Sequence, residues 1–405
     1  MKKIGLFTAG VLLASPAYAI DLEQMEIYGY GTINYYQTYD YLQNYQSKPK
    51  SRSKIDLERF VLSPRFIISD NVKIVSEIEF EHGGTGTTME YDTLDEFGEF
   101  ETEVEKGGEV VIEEIYVAID YLPTLNFKIG HITVPVGMNS QRHLPNLYYS
   151  AVRNRSETRI IPNTWHESGV MIEGSYNDNL HYQAMVMNGL NSEFFNSAHW
   201  IQAGHQKRFE HVNADNLAGA LRVDYGDILG SHIGASFYMG NSGENRNKRP
   251  LNEDATVTIA DIHGVYEYKG LNLRALALYG KLSDSEAVTT ANRGLPNALE
   301  AKRSPVASEA LAWFVEAGYN ISPLIKQVDK DLIIFSKYDF SDSMYATEGV
   351  IQDLDQYEQS TVTAGLNYMY SPNLTFKAEY ATTSFGSGSG LDDMEEIIFG
   401  MGYQF

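Results

Sequence analysis

Segments in which every second side chain is apolar recur along the whole chain, and this pattern limits the possible folds most. In one of them, Leu374, Phe376 and Tyr380 alternate with Thr375 and Lys377. Because a β-strand sends successive side chains to opposite faces, each segment predicts a strand with one apolar and one polar face. Sixteen such segments are present, so the sequence predicts an all-β protein.

The connections between these segments are alternately short and long. Short turns are expected at residues 70–71, 122–124, 177–179, 226–230, 269–270, 321–330 and 371–373. Longer polar connections are expected at residues 40–52, 82–108, 133–165, 190–215, 241–255, 281–305, 341–357 and 385–393. This arrangement predicts a transmembrane antiparallel β-barrel of about sixteen strands. A soluble β-sandwich shows the same alternation within its strands, and the unequal connections favour the barrel.

The start of the chain has the features of an export signal. Lys2 and Lys3 precede an apolar run, and residues 17–19 read Ala-Tyr-Ala, a small-x-small cleavage site. We therefore expect residues 1–19 to be a cleaved signal peptide and residues 20–405 to form the barrel. The remaining chain contains no run approaching 18 consecutive apolar residues, so we exclude transmembrane helices, and a closed barrel is the spanning structure that remains.

Charge and cysteine content exclude other classes of protein. The formal net charge is -23, and removal of Lys2 and Lys3 makes it more negative, so nucleic acid is not an expected partner. The chain has no cysteine, so disulfides cannot stabilise it after export. Its 28 tyrosines and 18 phenylalanines suit the aromatic girdles that barrels place at both membrane interfaces.

Sequence signals for an enzyme or a metal centre are sparse. His166 and Glu167 are neighbours in a predicted strand, so they face opposite sides and are poorly placed to form a catalytic dyad. The glycine-rich residues 385–390 do not match a nucleophile elbow, and no histidine pair has the helical spacing of a zinc site. We expect no enzymatic activity, no cofactor and no bound metal.

The third long connection, residues 133–165, is opposite in sign to the whole chain. Its charged side chains are four arginines and one carboxylate: Arg142, Arg153, Arg155, Arg159 and Glu157. A connection of this length exceeds what a hairpin needs, so we expect it to fold into the barrel as a constriction loop. Its guanidinium groups would attract anions in a narrow passage. The alternative is that they pair with wall carboxylates and only anchor the loop.

The polar faces of the strands would line the interior. Because sixteen strands leave an aqueous channel, these faces become the lining of a pore. The basic candidates with inward parity are Arg59, Arg65, Lys73, Lys128, Arg222, Arg274, Lys337 and Lys377. Carboxylates of the same parity include Glu77, Glu79, Glu114, Glu316, Asp339 and Glu379. A mixed field without a strong sign is therefore the alternative to a basic ladder.

The second long connection carries a run of carboxylates in residues 90–105. Such runs are usually solvated loops. Bridging of divalent cations to anionic lipopolysaccharide is the alternative, although no spacing in the run resembles a calcium-binding loop.

The chain ends on one more alternating strand. Phe399, Tyr403 and Phe405 lie on one face, and Glu396, Gln404 and two glycines lie on the other. We expect the apolar face of this strand to meet lipid, with the last aromatic rings at the membrane interface.

Several stretches together carry a resemblance to a known family. They are FKIGHITVPVGM at residues 127–138, WHESGVMIEGSY at 165–176, ERFVLSPRFIISDNVKIVSEIEF from Glu58, WFVEAGYNI from Trp313, DLIIFSKYDF from Asp331 and the terminal FGMGYQF. In these stretches the chain resembles the phosphate-selective porin family of Gram-negative outer membranes. The loop at 133–165 contains no lysine, whereas some members of that family have a lysine-rich constriction.

The resemblance implies a sixteen-stranded homotrimeric barrel in contact with outer-membrane lipid and lipopolysaccharide. It also implies insertion by the barrel-assembly machinery, which reads a C-terminal signal such as Tyr403 and Phe405. We therefore expect a passive diffusion channel for small hydrophilic solutes, with an anion (phosphate-like) preference set by the loop arginines. The alternatives are a general or cation-preferring porin, and a non-conducting surface barrel that acts as an adhesin or receptor.

Overall fold

The structure is a computed structural model that describes most of the chain. It describes residues 24–39, 51–92, 101–206, 212–248, 250–295, 303–326 and 328–405, without the side chains of residues 85–107. The expected signal peptide, residues 1–19, lies outside the described residues. The acidic side chains of residues 90–105 lie outside the described side chains.

The described residues form sixteen strands in one closed antiparallel barrel. The strands are β1 Met25–Tyr39, β2 Arg52–Ser69, β3 Val72–Asp92, β4 Glu101–Leu122, β5 Leu125–Thr133, β6 His166–Tyr176, β7 Leu180–Asn188, β8 Leu217–Gly226, β9 His232–Gly240, β10 Val257–Tyr268, β11 Leu271–Leu282, β12 Glu309–Asn320, β13 Asp331–Ala346, β14 Glu358–Ser371, β15 Leu374–Phe385 and β16 Met394–Gln404. Each strand pairs with its neighbours in sequence, and β1 pairs with β16. The predicted fold class and strand number are confirmed.

The connections alternate as predicted. Short connections of two to ten residues join β2 to β3 and each later even strand to the next odd strand at one end of the barrel, the short-turn end. In the part of the chain that the structure describes, the connections that start at the opposite, long-loop end contain three α-helices: α1 Asn139–Arg142 and α2 Arg155–Ile160 after β5, and α3 Ser285–Arg293 after β11. The prediction of a loop at residues 82–108 is wrong in extent. The ladder between β3 and β4 resumes at Gly86 and continues to Asp92, because backbone pairing is independent of the polarity of the side chains.

The outer face of the barrel is apolar. Leu221, Ile233 and Val315 are 56%, 57% and 50% exposed, and Phe399 on β16 and Phe405 directly after it are each 54% exposed. A protein surface that exposes this many large apolar side chains is stable only against lipid or against an apolar surface of another protein. Among the described residues, no helix combines the length and the apolarity that crossing a membrane requires.

The interior differs from the expected open channel. Mainly along the long-loop halves of β6–β13, inward side chains and the connections that follow β7 and β11 form one apolar cluster. Gly280 on β11 leaves room for Trp200, because a Cβ at this position would meet the indole ring. Trp200 and Phe195 are fully buried. The expectation that polar strand faces line an aqueous channel is wrong for this part of the barrel, because the loops fold inward and cover apolar wall residues.

Replacement of Phe195 by Ala tests the contribution of this apolar cluster. Truncation removes the contacts of a fully buried ring and leaves a cavity, so the free energy of unfolding should fall by about 3–5 kcal/mol. Denaturant unfolding in detergent micelles measures the change. Phe399→Ala is the matched control, because this outward ring leaves no internal cavity, and its cost should be less than half as large. Equal costs for the two variants would contradict the internal packing.

Candidate functional site: the loop-crossed lumen

The connection between β5 and β6 runs through the interior of the barrel. This segment, residues 134–165, is the inner loop, and most of its side chains are buried. The amide of Val134 donates to the carbonyl oxygen of Trp165 at 2.7 Å, which closes the base of the loop. The predicted inward fold of this connection is confirmed.

Side chains of β8 and β10 hold the first turn of the inner loop. Arg222 donates to the carbonyl oxygen of Gly137, and the amide of Gly137 donates to Oδ2 of Asp261 at 3.0 Å. Gly137 has a φ of +76°, and a Cβ at this position would meet the carboxylate of Glu157. Glycine is therefore required where the loop turns against the wall.

Arg142, in α1, fastens the inner loop to the short-turn end. Its guanidinium donates to the carbonyl oxygens of Ile228 (2.9 Å) and Leu229 (3.1 Å) in the turn between β8 and β9. Burial lowers the pKa of Arg142 to about 10, so the side chain remains a cation at neutral pH. Because backbone oxygens occupy its donors, Arg142 is an anchor of the loop.

The opposite wall holds the middle of the inner loop. Lys377 on β15 donates to the carbonyl oxygens of Tyr148 and Ser150, both at 2.9 Å. The amide of Ala151 donates to Oε2 of Glu379 at 2.7 Å. The loop therefore spans the lumen from β8–β10 to β15 and is fixed at both sides by hydrogen bonds to charged groups.

Two glycines on β16 allow the loop to lie close to this wall. A Cβ on Gly402 would be 2.6 Å from Cβ of Pro145, and a Cβ on Gly400 would be 3.1 Å from Cβ of Ala151. Any larger residue would therefore push the loop away from the seam where the barrel closes.

Two cavities remain beside the inner loop. The inner cavity lies toward the short-turn end, has a volume of about 800 Å³, and its charged lining is Arg65, Glu77, Glu114, Lys128, Glu173 and Asp224. The outer cavity lies toward the long-loop end, has a volume of about 190 Å³, and is lined mainly by Tyr36, Glu58, Arg153, Arg155, Asn163 and Glu396. Both cavities are polar, so water and hydrophilic solutes can enter them.

Three charged side chains stand between these cavities, and we name them the central cluster: Arg59 on β2, Glu79 on β3 and Glu113 on β4. Nε of Arg59 is 2.5 Å from Oε1 of Glu79, and its Nη2 is 3.0 Å from Oε2 of Glu113. Thr164 of the inner loop donates to Oε1 of Glu113 at 2.8 Å. All three charged residues are under 5% exposed. The wall and the inner loop therefore meet here, between the two cavities.

The inner loop brings two of its four arginines to open space. Nη1 of Arg155 is 2.8 Å from Oε2 of Glu396, and Nη2 of Arg153 is 3.9 Å from Oε1 of Glu58. Both arginines line the outer cavity, each opposite a wall carboxylate. The outer cavity therefore presents charges of both signs at short range.

The other predicted loop residues have different surroundings. Arg159 is half-buried in α2. Glu157 is 1% exposed, and its Oε1 accepts the amide hydrogen of Asn139 at 2.9 Å. Glu157 thus joins α2 to α1 inside the loop and is not one of the residues that line the two cavities.

The eight basic wall residues predicted to face inward do so, and each has a partner. The pairs are Arg59 with Glu79 and Glu113, Lys73 with Asp120, Lys128 with Glu173, Arg222 with Asp224, Arg274 with Glu316, Lys337 with Asp339, Lys377 with the loop carbonyls, and Arg65 with the ring of Tyr28. Among the described side chains, these positions therefore form paired charges and not a basic ladder.

Sequence reasoning missed two inward carboxylates, Glu58 and Glu113. Counting alternate residues placed both on the outer face. The pairing register shifts near each of them, between Thr32 and Asn34 in the β1–β2 ladder and between Glu77 and Ile78 in the β3–β4 ladder. A bulge adds one residue and reverses the parity of the strand beyond it. The available signal was a pair of adjacent charged residues. Strict alternation would place one of the two on the apolar outer face, where a charge does not fit.

The comparisons with known proteins agree with the barrel architecture. No family model matches the chain. An uncharacterised protein of Aquifex aeolicus is 25% identical over 381 residues, which is 92% of this chain and 78% of that protein.

Solved outer-membrane channels have the same fold. OmpF of Salmonella typhi has a TM-score of 0.56 at 14% identity, with 94% of this chain and 97% of that chain covered. The outer-membrane channel DcaP of Acinetobacter baumannii has a TM-score of 0.52 at 13% identity, with the same coverage. The anion-selective porin of Comamonas acidovorans has a TM-score of 0.50 at 11% identity, covering 94% of this chain and 100% of that chain. This chain therefore has the fold of outer-membrane porins.

Lys377→Ala should release the middle of the inner loop. The change removes two hydrogen bonds from a buried cation to loop carbonyls, each worth about 1.5–3 kcal/mol. Amide hydrogen exchange at residues 148–152 should become at least tenfold faster. Lys73→Ala is the matched control, because Lys73 forms a solvent-exposed pair with Asp120, and exchange in the loop should not change. Unchanged exchange in Lys377→Ala would exclude this anchor.

Glu157→Gln should remove a pH dependence of stability. Burial raises the pKa of Glu157 to about 7. The hydrogen bond from the amide of Asn139 lowers the pKa, but by less than burial raises it. The folded state therefore binds more protons than the unfolded state between about pH 4.5 and 7, and the free energy of unfolding falls across that interval by up to roughly 3 kcal/mol. Unfolding of both proteins from pH 4.5 to 8 is the measurement. The variant should lack this part of the decline, and parallel curves would contradict the assignment.

Proposed function

We propose that the protein is an outer-membrane porin, a passive diffusion channel for small hydrophilic solutes. The observation that carries this proposal is the pair of polar cavities on either side of the central cluster, inside a closed barrel with an apolar outer face. A solute would pass along the wall formed by β1–β5 and the adjoining strands β6–β8 and β16, which line the two cavities, because the apolar cluster and the inner loop occupy much of the remaining lumen. No enzymatic reaction is part of the proposal.

The charges along this route support a weak preference for cations. Around the inner cavity two bases face four carboxylates, and around the outer cavity Arg153 and Arg155 face Glu58 and Glu396. The central cluster adds one base and two carboxylates. Because selectivity depends on charges that face a narrow passage, the excess of carboxylates should count more than the arginines of the inner loop.

An anion (phosphate-like) preference is the second candidate. It rests on Arg153 and Arg155, whose forked guanidinium groups suit carboxylates and phosphates. In this case the two arginines would act before a solute reaches the central cluster. The two candidates predict opposite signs of the reversal potential.

The setting of the channel is also proposed. Residues 1–19 would direct export and be cleaved, and Tyr403 and Phe405 would be read by the barrel-assembly machinery. The short-turn end would face the periplasm, and the long-loop end would face the cell exterior and its lipopolysaccharide. We expect a homotrimer, which chemical cross-linking of the purified protein would reveal.

Reversal potentials in planar bilayers under a salt gradient test the ion preference. We expect cations to be preferred by the wild type, and this preference to increase in Arg153→Ala/Arg155→Ala and to decrease in Glu113→Gln. Glu113→Gln leaves Arg59 paired with Glu79, which limits the disturbance of the buried charge.

Asp178→Asn, an exposed change in the turn after β6, is the control and should leave the reversal potential unaltered. A wild-type reversal potential of anionic sign would support the second candidate and reject the first. Absence of single-channel conductance in correctly folded protein would reject both and favour a non-conducting surface barrel.

A further inference from the structure

Three side chains from adjacent strands converge at the edge of the inner cavity. Asp224 on β8, His232 on β9 and His263 on β10 each offer one ligand atom, and these atoms all lie within 4.8 Å of one another. All three residues are buried, and Asp224 lines the inner cavity. A set of two imidazoles and one carboxylate, reached from an aqueous cavity, is a ligand set that divalent transition metals prefer.

The hydrogen bonds of both histidines leave Nε2 available as a ligand. Nδ1 of His263 is 2.6 Å from Oδ1 of Asp261, and Nδ1 of His232 is 3.2 Å from the carbonyl oxygen of Gly230. Because these oxygens accept, Nδ1 carries a hydrogen in each ring, and Nε2 of the neutral ring keeps its lone pair. In the protonated ring of His263, Nε2 donates to Oδ1 of Asp224, and a metal ion would replace that proton. Metal-binding histidines are oriented in this way, by a carboxylate or a carbonyl oxygen behind the ligating ring.

The contact between His263 and Asp224 indicates a position for a cation. Nε2 of His263 and Oδ1 of Asp224 are 2.8 Å apart, a distance at which either a proton on Nε2 or another cation beside the two atoms joins them. Nη2 of Arg222 lies 2.7 Å from that nitrogen and 3.1 Å from that oxygen, so a guanidinium bridges them here. Two ligand atoms on a tetrahedral zinc ion are about 3.3 Å apart. Nε2 of His263 and Oδ1 of Asp224 would therefore need to move only slightly apart to bind the same ion.

Arg222 has other hydrogen-bond acceptors that keep its side chain in place when Nη2 moves away from His263 and Asp224. Its Nε donates to Oδ2 of Asp224 at 2.7 Å, and its Nη1 donates to the carbonyl oxygen of Gly137 in the inner loop. A metal ion would need to displace Nη2 alone. Asp224 and Asp261 supply two negative charges beside the site, which offset the charge of the arginine that stays nearby.

We propose that Asp224, His232 and His263 form a binding site for a divalent transition-metal ion, with Zn²⁺ as the probe. Sequence spacing does not reveal this site, because its ligands come from three strands and lie 8 and 31 residues apart. The proposal is independent of ion conduction, since the ligands and the inner cavity are present whether or not the passage to the long-loop end conducts.

Equilibrium dialysis of the folded mature chain in detergent, with Zn²⁺ and metal analysis, tests the site. We expect one Zn²⁺ per chain, with affinity reduced by about a hundredfold or more in His232→Gln and in His263→Gln. His166→Gln is the matched control, because His166 is also a buried histidine with a second imidazole, that of His131, at a ring distance of 4.8 Å. Its Zn²⁺ affinity should equal that of the wild type.

A measurement on the wild type alone keeps the proposal testable if a variant fails to fold. Co²⁺ bound by two imidazoles and a carboxylate should give the visible absorption of a four-coordinate site, and added Zn²⁺ should abolish it. Failure of the wild type to take up Zn²⁺ would overturn the proposal. So would full binding by folded His232→Gln and His263→Gln, or loss of binding in His166→Gln.

Discussion

Backbone hydrogen bonding between β1 and β16 closes the wall, and the rest of the structure depends on this closure. The ladder runs from Tyr30 opposite Gln404 to Tyr39 opposite Glu395, and the amides and carbonyls of Gly29 and Phe405 extend it by two hydrogen bonds. An apolar surrounding offers no partner to an unpaired strand edge, so a sheet with this outer face must be closed. Closure also creates the enclosed space in which the inner loop can fold.

The inner loop divides that space into two unlike parts. Beside the long-loop halves of β6–β13 the interior is a packed apolar core, stabilised in the same way as the core of a soluble protein. Beside β1–β5 it is polar, and its charges are paired between nearby strands of the wall. The net charge of -23 therefore says little about the ions that the passage favours. The charged side chains that line the two cavities determine the field there: carboxylates outnumber bases around the inner cavity and equal them around the outer cavity.

The sequence predicted the strands, the turns and the inward fold of the loop, because these follow from period-two patterns and from connection lengths. It did not predict the facing of Glu58 and Glu113, since each lies beyond a bulge that reverses parity. It could not separate Arg142, which binds backbone oxygens, from Arg153 and Arg155, which face the outer cavity. Those differences depend on which wall each loop residue meets, and contacts across more than 80 residues have no local signature.

The anchoring of the inner loop has a consequence for the order of folding. Ala151 donates to Glu379, 228 residues away, and its carbonyl oxygen accepts from Asn34, 117 residues away. These two partners lie on strands that flank β16, so both contacts form only once the first and last strands have come together. Loop closure over such separations costs entropy that local contacts do not repay. Seating of the loop is therefore a late event in the biogenesis of the barrel, and a seated loop marks a chain whose assembly is complete.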